Sequence, residues 1–149
     1  MQGLSGSQFA TFLIDDQFFG IDVLAVQEVL PRQEMTPVPL APVAIRGLIN
    51  LRGQIVTAID LRVCLGLPAR GAYAPDPMTI VIRTQDGVAS LLVDAVGEVL
   101  ELDRAALAPA PDNLSSPASR LIQGVFQLQD RLLVVLDTER TLEIKGDSR

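Results

Sequence analysis

The chain has 149 residues and a net charge of −6, and 48% of its residues are hydrophobic. This length suits a single domain or two subdomains that share a core. Because the chain has one lysine and scattered arginines, it lacks the basic stripe by which proteins bind nucleic acids or anionic membranes.

The first half of the chain consists of short apolar runs separated by turn-forming residues, a pattern typical of β-strands. Pro31 ends the third run, and the prolines between positions 35 and 42 predict an extended connector. Gly53 lies where a hairpin turn needs a positive φ angle, and Asp60 suits the N-cap of a short helix ending at Gly66. The predicted strands are residues 9–14, 18–23, 26–30, 44–51 and 54–59.

The second half repeats this plan after residues 68–77, which are rich in glycine, alanine and proline. Asp103 is expected to begin a helical turn, and Asp137 a short helix that reaches Leu142. Residues 108–119 form a loop rich in proline and serine. The predicted strands are residues 78–83, 88–93, 96–102, 121–128 and 132–136.

The two halves are copies of one pattern. Residues 45–60 are echoed by residues 122–137, 77 positions later, and residues 26–30 by residues 96–100, 70 positions later. The interval grows because the second half has the longer loop, residues 108–119. Repetition at a nearly fixed interval indicates a duplicated structural unit.

These strands predict an all-β fold, and the duplication favours two small pseudo-symmetric barrels over one sandwich. Continuous apolar runs such as residues 132–136 suggest strands that are covered on both faces, where the barrels meet. The predicted organisation is a flexible N-terminus at residues 1–8, a first barrel at 9–70, a linker at 71–77, and a second barrel with a short C-terminal helix at 78–149.

No pattern of catalytic residues is present. Histidine is absent, which removes the commonest general base and the commonest metal ligand. The sequence also lacks a nucleophile elbow, a phosphate-binding glycine loop and a paired-cysteine motif. Asp15 and Asp16 suit a turn, and Cys64 suits a buried structural thiol. We therefore predict a protein that is not an enzyme and has no metal or cofactor site.

Nothing in the sequence predicts secretion or membrane insertion. No apolar run approaches the ~18 residues that a membrane-spanning helix needs. The N-terminus lacks the charged and apolar regions of a signal peptide. The single cysteine cannot form an internal disulfide, which fits a reducing compartment. We expect a cytoplasmic protein.

The hairpin of the first copy carries two arginines where its counterpart carries Gln123 and Gln129. Asn50 and Gly53 are expected at its tip. Arg46 and Arg52 lie six positions apart, which places them on one face of a regular strand. A solvated surface is the commonest setting for such a pair, and the alternatives are a recognition patch or an arginine held by a carboxylate such as Glu28 through a forked hydrogen bond.

Several short motifs follow one another along the chain: Phe19-Gly20-Ile21-Asp22-Val23, Val26-Gln27-Glu28-Val29, Thr36-Pro37-Val38-Pro39, Gly47-Leu48-Ile49-Asn50-Leu51-Arg52-Gly53, Ile59-Asp60-Leu61-Arg62, Leu91-Leu92-Val93-Asp94-Ala95-Val96 and Gly124-Val125. In this order and spacing the chain resembles CheW-like chemotaxis coupling proteins, from about Phe9 to about Leu142. The Asn-Leu-Arg-Gly motif combined with the downstream Asp-Leu-Arg is more specific than either motif alone.

The resemblance implies two five-stranded SH3-like barrels and a non-catalytic adaptor that couples chemoreceptors to a CheA-type histidine kinase. It implies that the kinase's CheW-like regulatory domain binds at barrel ends, with self-association in rings, in receptor arrays on the inner face of the membrane. The receptor's helical tip would dock in the groove between the barrels, shaped by an ion pair of Glu28 with Arg52. The implied receptor- and kinase-binding residues are Val26, Glu28, Arg46, Gly47, Asn50, Arg52, Val93, Val96 and Val99.

Two alternatives stay open at this point. A CheW-like adaptor could serve another output, such as twitching motility or biofilm control. A β-barrel module that binds a ligand or nucleic acid is the rival from another class. The acidic balance and the scarcity of aromatic residues, with five Phe, one Tyr and no Trp, count against base stacking by such a module.

Overall fold

A computed structural model describes residues 6–68, 76–85, 87–110 and 118–142, which form strands with a few short helices. The strands are β1 (Gly6–Ile14), β2 (Gln17–Asp22), β3 (Val26–Leu30), β4 (Ile45–Leu51), β5 (Gln54–Asp60), β6 (Met78–Thr84), β7 (Gly87–Val93), β8 (Ala95–Asp103), β9 (Ile122–Gln127) and β10 (Leu132–Leu136). The helices are α1 (Leu61–Cys64), α2 (Ala118–Leu121) and α3 (Thr138–Leu142), with 3-10 turns at Val23–Ala25 and Arg104–Ala106. The predicted all-β class is confirmed.

The ten strands form two five-stranded sheets with the same internal order. One sheet, here called the terminal barrel, has the order β8-β1-β2-β10-β9, and the other, the central barrel, has the order β3-β6-β7-β5-β4. In each sheet an N-terminal hairpin of one copy pairs with three strands of the other copy. Each sheet has one parallel junction between the copies. In the terminal barrel Phe19 of β2 lies opposite Val134 of β10, and in the central barrel Ala89 of β7 lies opposite Thr57 of β5. The two copies have therefore exchanged their first hairpins.

This exchange corrects the predicted division of the chain. The expected barrels at residues 9–70 and 78–149 do not correspond to the two sheets, because β1 and β2 pair with strands of the second copy. The repeat identifies which strands are equivalent, but it does not identify which strands pair. The strand β1 also begins at Gly6, which pairs with Asp103, so residues 6–8 are not a flexible end. Residues 1–5 and most of the predicted linker, residues 71–75, lie outside the described residues.

Each barrel is closed by the chain segment that precedes its outer strand. Thr36 exchanges two backbone hydrogen bonds with Leu48 of β4, at 2.9 and 2.8 Å. In the other copy Ala108 exchanges two with Val125 of β9, both at 2.8 Å. Glycine is needed next to each bridge, because a Cβ atom at Gly47 would lie 2.7 Å from the Thr36 carbonyl oxygen. The repeated glycines thus allow the close approach of backbone that joins the edges of each sheet.

The interior contains one cluster between the barrels and one inside each barrel. The cluster between them draws on both sheets, through residues such as Phe12 and Ile21 of the terminal barrel and Ile80 and Leu91 of the central barrel. Leu133 and Val135 of β10 fill the terminal barrel, and Leu136 faces the shared cluster. The prediction that residues 132–136 are covered on both faces is therefore confirmed for most of the strand, although Leu132 is exposed.

Aspartates begin α1, α3 and the two 3-10 turns, and the sequence predicts three of them, Asp60, Asp103 and Asp137. Asp60 accepts a hydrogen bond from the Arg62 amide at 3.0 Å, and Asp103 accepts one from the Ala105 amide at 2.9 Å. Each side chain satisfies a backbone donor that has no partner within the helical turn. Several strand boundaries differ by one residue from their predictions, and Leu121, predicted to begin a strand, ends α2 instead.

Substitution of Gly47 by alanine tests the closure of the central barrel. The added methyl would overlap the Thr36 carbonyl, so we expect the free energy of unfolding to fall by about 1–3 kcal/mol, the usual cost of forcing a carbon atom into packed structure. Urea denaturation measures this change. Gln54→Ala, an exposed position on the same hairpin, serves as the control, with an expected change within about 0.5 kcal/mol. Equal stabilities for Gly47→Ala and the control would contradict the proposed role of the glycine.

Candidate functional site

The first copy presents an ion pair on the surface of the central barrel. Arg52 Nη2 donates a hydrogen bond to Glu28 Oε2 and so connects the β4–β5 turn to β3. Glu28 is on the half-buried face of β3, which it shares with Val26 and Leu30, while Gln27 and Val29 point outward. Side chains on β3 therefore alternate between a half-buried face and an exposed face. The pair fixes a charged group beside half-buried apolar side chains.

Local turn chemistry explains how Arg52 is presented. Arg52 has a φ angle of 53°, in the left-handed region, and Gly53 follows with a φ angle of 91°. The Asn50 side chain accepts a hydrogen bond from the Gly53 amide at 2.9 Å and thereby stabilises this tight turn. Asn50 thus acts within the turn, and Arg52 projects from it with its side chain 70% exposed.

Arg46 does not join this pair. Its Nη1 donates to Asp60 Oδ2 at 2.9 Å, at the other end of the hairpin. The expectation that Arg46 and Arg52 share one face rests on a regular strand, but the β4–β5 register shifts between Ile45 and Gly47, and Arg52 lies in the turn. The two arginines therefore bind different carboxylates. Gly47 lies against the Thr36 segment and so belongs to the backbone bridge that closes the central barrel.

The four predicted valines differ in their accessibility. Val26 of β3 and Val96 of β8 are equivalent in the repeat, and both pack partly buried against the cluster between the barrels. Val99 of β8 is half-exposed and available to a partner. Val93 is 2% exposed and belongs to the core, so the expectation that it lines a binding groove is wrong. It ends β7 in a fully covered run of apolar residues, which alternation alone does not reveal.

The sequence reasoning missed a buried arginine that connects the barrels. Arg62 of α1 donates from Nη2 to Asp15 at 2.5 Å and to Asp94 at 2.7 Å, and from Nη1 to the Pro68 carbonyl at 2.6 Å. Asp94 also accepts the Asp15 amide at 2.7 Å. Asp15 lies in the β1–β2 turn of the terminal barrel and Asp94 lies between β7 and β8. The Asp-Leu-Arg motif, with an arginine among apolar residues, is the signal that could have indicated it.

Electrostatics at Arg62 favour its charged form. Burial opposes the charge, but the hydrogen bonds and charges of Asp15 and Asp94 outweigh burial and raise the pKa of the guanidinium above its ordinary value. The second copy places Glu139 at the equivalent position, where its carboxylate accepts the Gln85 amide at 3.4 Å. Gln85 in turn corresponds to Asp15 in the repeat. Among the described residues, an arginine that joins two carboxylates is found at the Arg62 end, whereas a carboxylate and a backbone amide meet at the other.

Cys64 follows Arg62 in α1 and is buried. Burial, with a smaller contribution from the nearby Asp60 charge, raises the pKa of its thiol to about 12. A thiol of such high pKa is a poor nucleophile at neutral pH. The structural role predicted for Cys64 agrees with this environment.

Within the described ranges, no group of three or more cysteine or acidic side chains is arranged to hold a metal ion. In the same part of the chain, no helix has the length and apolar character to cross a membrane.

Comparison with known proteins gives a consistent result. A sequence model described as the CheW-like domain matches residues 8–145. The chain is 34% identical over 137 residues to the chemotaxis protein CheW of Klebsiella aerogenes, covering 92% of this chain and 82% of that protein. It is 31% identical over 136 residues to the chemotaxis protein CheW of Helicobacter pylori, covering 91% of this chain and 81% of that one. The crystal structure of the scaffolding protein TtCheW from Thermoanaerobacter tengcongensis superposes with a TM-score of 0.84 at 27% identity, over 98% of both chains.

Removal of the Arg62 side chain tests the network between the barrels. Arg62→Ala would leave two carboxylates close together without their cation, so we expect the free energy of unfolding to fall by about 3 kcal/mol. This value is at the low end of the cost of breaking a buried ion pair, because Asp15 is partly exposed. Arg140→Ala on α3, whose ion pair with Asp137 is long at 3.8 Å and exposed, is the control, with an expected change below about 0.5 kcal/mol. If both variants unfold at the same urea concentration, the network does not stabilise the fold.

The raised pKa of Cys64 predicts a loss of stability at alkaline pH. The unfolded thiol ionises near pH 8.5, whereas the folded thiol ionises near about 12, so the unfolded state binds fewer protons between these values. The stabilisation is complete below pH ~8.5 and is lost as the pH rises towards ~12, by about 1.4 kcal/mol per pH unit. Urea denaturation as a function of pH should show this slope in wild type, and a smaller one in Cys64→Ala. Identical slopes would show that the thiol titrates normally in the folded protein.

Proposed function

The chain belongs to the CheW-like family, and from this membership we propose that it is a non-catalytic scaffold of chemotaxis signalling that couples chemoreceptors to a CheA-type histidine kinase. The similarity spans nearly the whole chain in sequence and in fold, so it covers both barrels and the stretch of chain that carries Glu28 and Arg52. Coupling by a scaffold is a free-energy linkage between two binding events and needs no catalytic residue.

The observation that carries this proposal is the surface around Glu28 and Arg52. A fixed ion pair beside the half-buried Val26 offers both charge and apolar area, the combination by which an interface packs and discriminates. The helical tip of a receptor would pack its apolar side chains on the barrel surface, with Val26 and the half-exposed Val99 as contacts on opposite sheets. Arg46, Gly47 and Asn50 support this hairpin.

The proposed partners are a chemoreceptor and the CheW-like regulatory domain of the kinase, and the chain would lie in the cytoplasm, in arrays beside the membrane. The two similar barrels suit pseudo-symmetric contacts with a domain of the same fold, including self-association in rings. A CheW-like adaptor for another motility or biofilm output would have the same fold and site. The identity of the kinase that binds the chain would separate these outputs.

The Glu28–Arg52 pair gives the experiment. We expect Arg52→Ala to weaken binding of the purified receptor or kinase by about 10-fold or more, as hot-spot arginines commonly do. Its effect on the free energy of unfolding should stay below about 1 kcal/mol, because the ion pair is exposed. Calorimetric titration measures binding, and urea denaturation measures stability.

Two further variants make the result specific. The charge exchange Glu28→Arg with Arg52→Glu should restore part of the binding if the two side chains act as a pair. Arg140→Ala, an exposed arginine in the other copy, should bind like wild type. An Arg52→Ala variant that is folded and binds both partners with wild-type affinity would remove this surface from the proposed mechanism.

A further inference from the structure

The central barrel is one continuous stretch of the chain, whereas the terminal barrel is not. All five strands of the central barrel, β3 to β7, lie between Val26 and Val93. The terminal barrel takes β1 and β2 from before this stretch and β8, β9 and β10 from after it. The chain therefore enters the central barrel once and leaves it once. Its strands can separate without breaking any strand pair of the terminal barrel.

The interiors of the two barrels differ in the size of their side chains. Five buried residues fill the terminal barrel, namely Phe9, Phe18, Phe126, Leu133 and Val135. Their counterparts in the repeat are all smaller and are, in the same order, Thr79, Val88, Ile49, Val56 and Ala58 of the central barrel. The stabilisation from buried apolar side chains grows with the area that they bury. The interior of the terminal barrel therefore holds its strands together more strongly.

Aromatic contacts add to the stability of the terminal barrel. The rings of Phe9 and Phe126 meet edge to face, with their centroids 5.3 Å apart. The Arg131 guanidinium lies 3.8 Å from the centroid of the Phe18 ring. Both kinds of contact are stabilising beyond the area that they bury. The described part of residues 26–93 contains no aromatic side chain, and Gln54 is the counterpart of Arg131, so the central barrel has neither contact.

Two hydroxyl groups inside the central barrel have no hydrogen-bond partner among the described residues. They belong to Thr79 of β6 and Ser90 of β7, which are both fully buried. Thr79 lies opposite Leu92, and Ser90 lies opposite Val81. Leu92 and Val81 belong to the cluster inside this barrel, and residues directly opposite on paired strands share a face, so both hydroxyls point into the cluster. A buried hydroxyl without a partner destabilises the fold around it.

Two positions are more apolar in the central barrel, but the polar residues that they replace are satisfied in the terminal barrel. Val81 and Leu92 correspond to Thr11 and Asp22. The buried Thr11 hydroxyl donates to the Glu98 carbonyl at 2.5 Å. Asp22 is partly exposed and forms an ion pair. Hydrogen bonding inside the terminal barrel is therefore more complete, which agrees with its larger apolar side chains in making it the more stable of the two.

We propose that the central barrel is a separately opening unit, whose strands β3 to β7 come apart and re-form while the terminal barrel stays folded. Its continuity in the chain permits this opening, and its smaller interior and unpaired hydroxyls lower the free energy that opening requires.

Opening has a consequence for partners. The Glu28–Arg52 pair connects the β4–β5 turn to β3, so opening separates the two side chains and dismantles the surface around them. A partner that binds this surface selects the closed barrel and suppresses the opening. This consequence rests on the proposed function, whereas the opening itself is a property of the protein alone and is measured without a partner.

Amide hydrogen exchange of the full-length protein, followed by nuclear magnetic resonance, tests the opening. Amides at equivalent positions of the two barrels are compared after correction for their intrinsic exchange rates, for example Ile80 with Ala10 and Leu91 with Ile21. We expect the amides of β6 and β7 to exchange about 10-fold or more faster than those of β1 and β2, because opening of one barrel exposes its amides before global unfolding does. Equal exchange at equivalent positions, or faster exchange in the terminal barrel, would overturn the proposal.

The same substitution in each barrel provides a matched pair of variants. Thr79→Val removes an unpaired hydroxyl and keeps the shape of the side chain, so exchange in β6 and β7 should slow about fivefold or more, while exchange in β1 and β2 changes less than about twofold. Thr11→Val removes a hydroxyl that is bonded to the Glu98 carbonyl, so it should instead speed exchange in the terminal barrel. If Thr79→Val changes exchange equally in both barrels, or speeds it in the central barrel, the proposal is wrong.

Discussion

Each barrel is completed by a parallel pairing of strands from different copies of the repeat, β7 with β5 and β2 with β10. Parallel neighbours cannot be joined by a tight turn, so the chain must travel through other strands to form them. Here that requirement is met by exchanging the first hairpins of the two copies. Each barrel therefore contains strands of both copies.

The exchanged hairpins also contribute to the cluster that lies between the barrels. The cluster between the barrels includes Phe12 and Ile21 from one exchanged hairpin and Ile80 and Leu91 from the other. Units of roughly 70 residues bury too little surface to be very stable alone. Sharing the central cluster adds buried apolar area to both barrels. A partner that binds one barrel would therefore bind a molecule whose two barrels share this cluster, a feature that suits the proposed coupling role.

Pseudo-symmetry places two similar ends on one molecule, and the departures from symmetry distinguish them. Arg62 connects Asp15 with Asp94 at one end, while Glu139 contacts the Gln85 amide at the other. The first copy carries Arg52 at its hairpin tip, whereas the second copy has Gln129 and forms α2 before β9. The two copies share one scaffold, and the residues in which they differ give each end its own chemistry.

Local patterns determined the strands, the caps and the chemistry of the hairpin tip. The alternation along β3, the capping by Asp60 and the turn at Asn50 depend on residues a few positions apart, so a single sequence contains the information for them. The tertiary structure alone decided which hairpin enters which barrel, that Val93 is buried, and that Arg46 binds Asp60 while Arg62 connects the barrels. These features join residues far apart in the chain, such as Phe19 with Val134. The periodicity of side chains along a strand determines which of its faces is buried. Equivalent strands of the two copies have the same buried faces, so the packing of the whole core decides which strands pair.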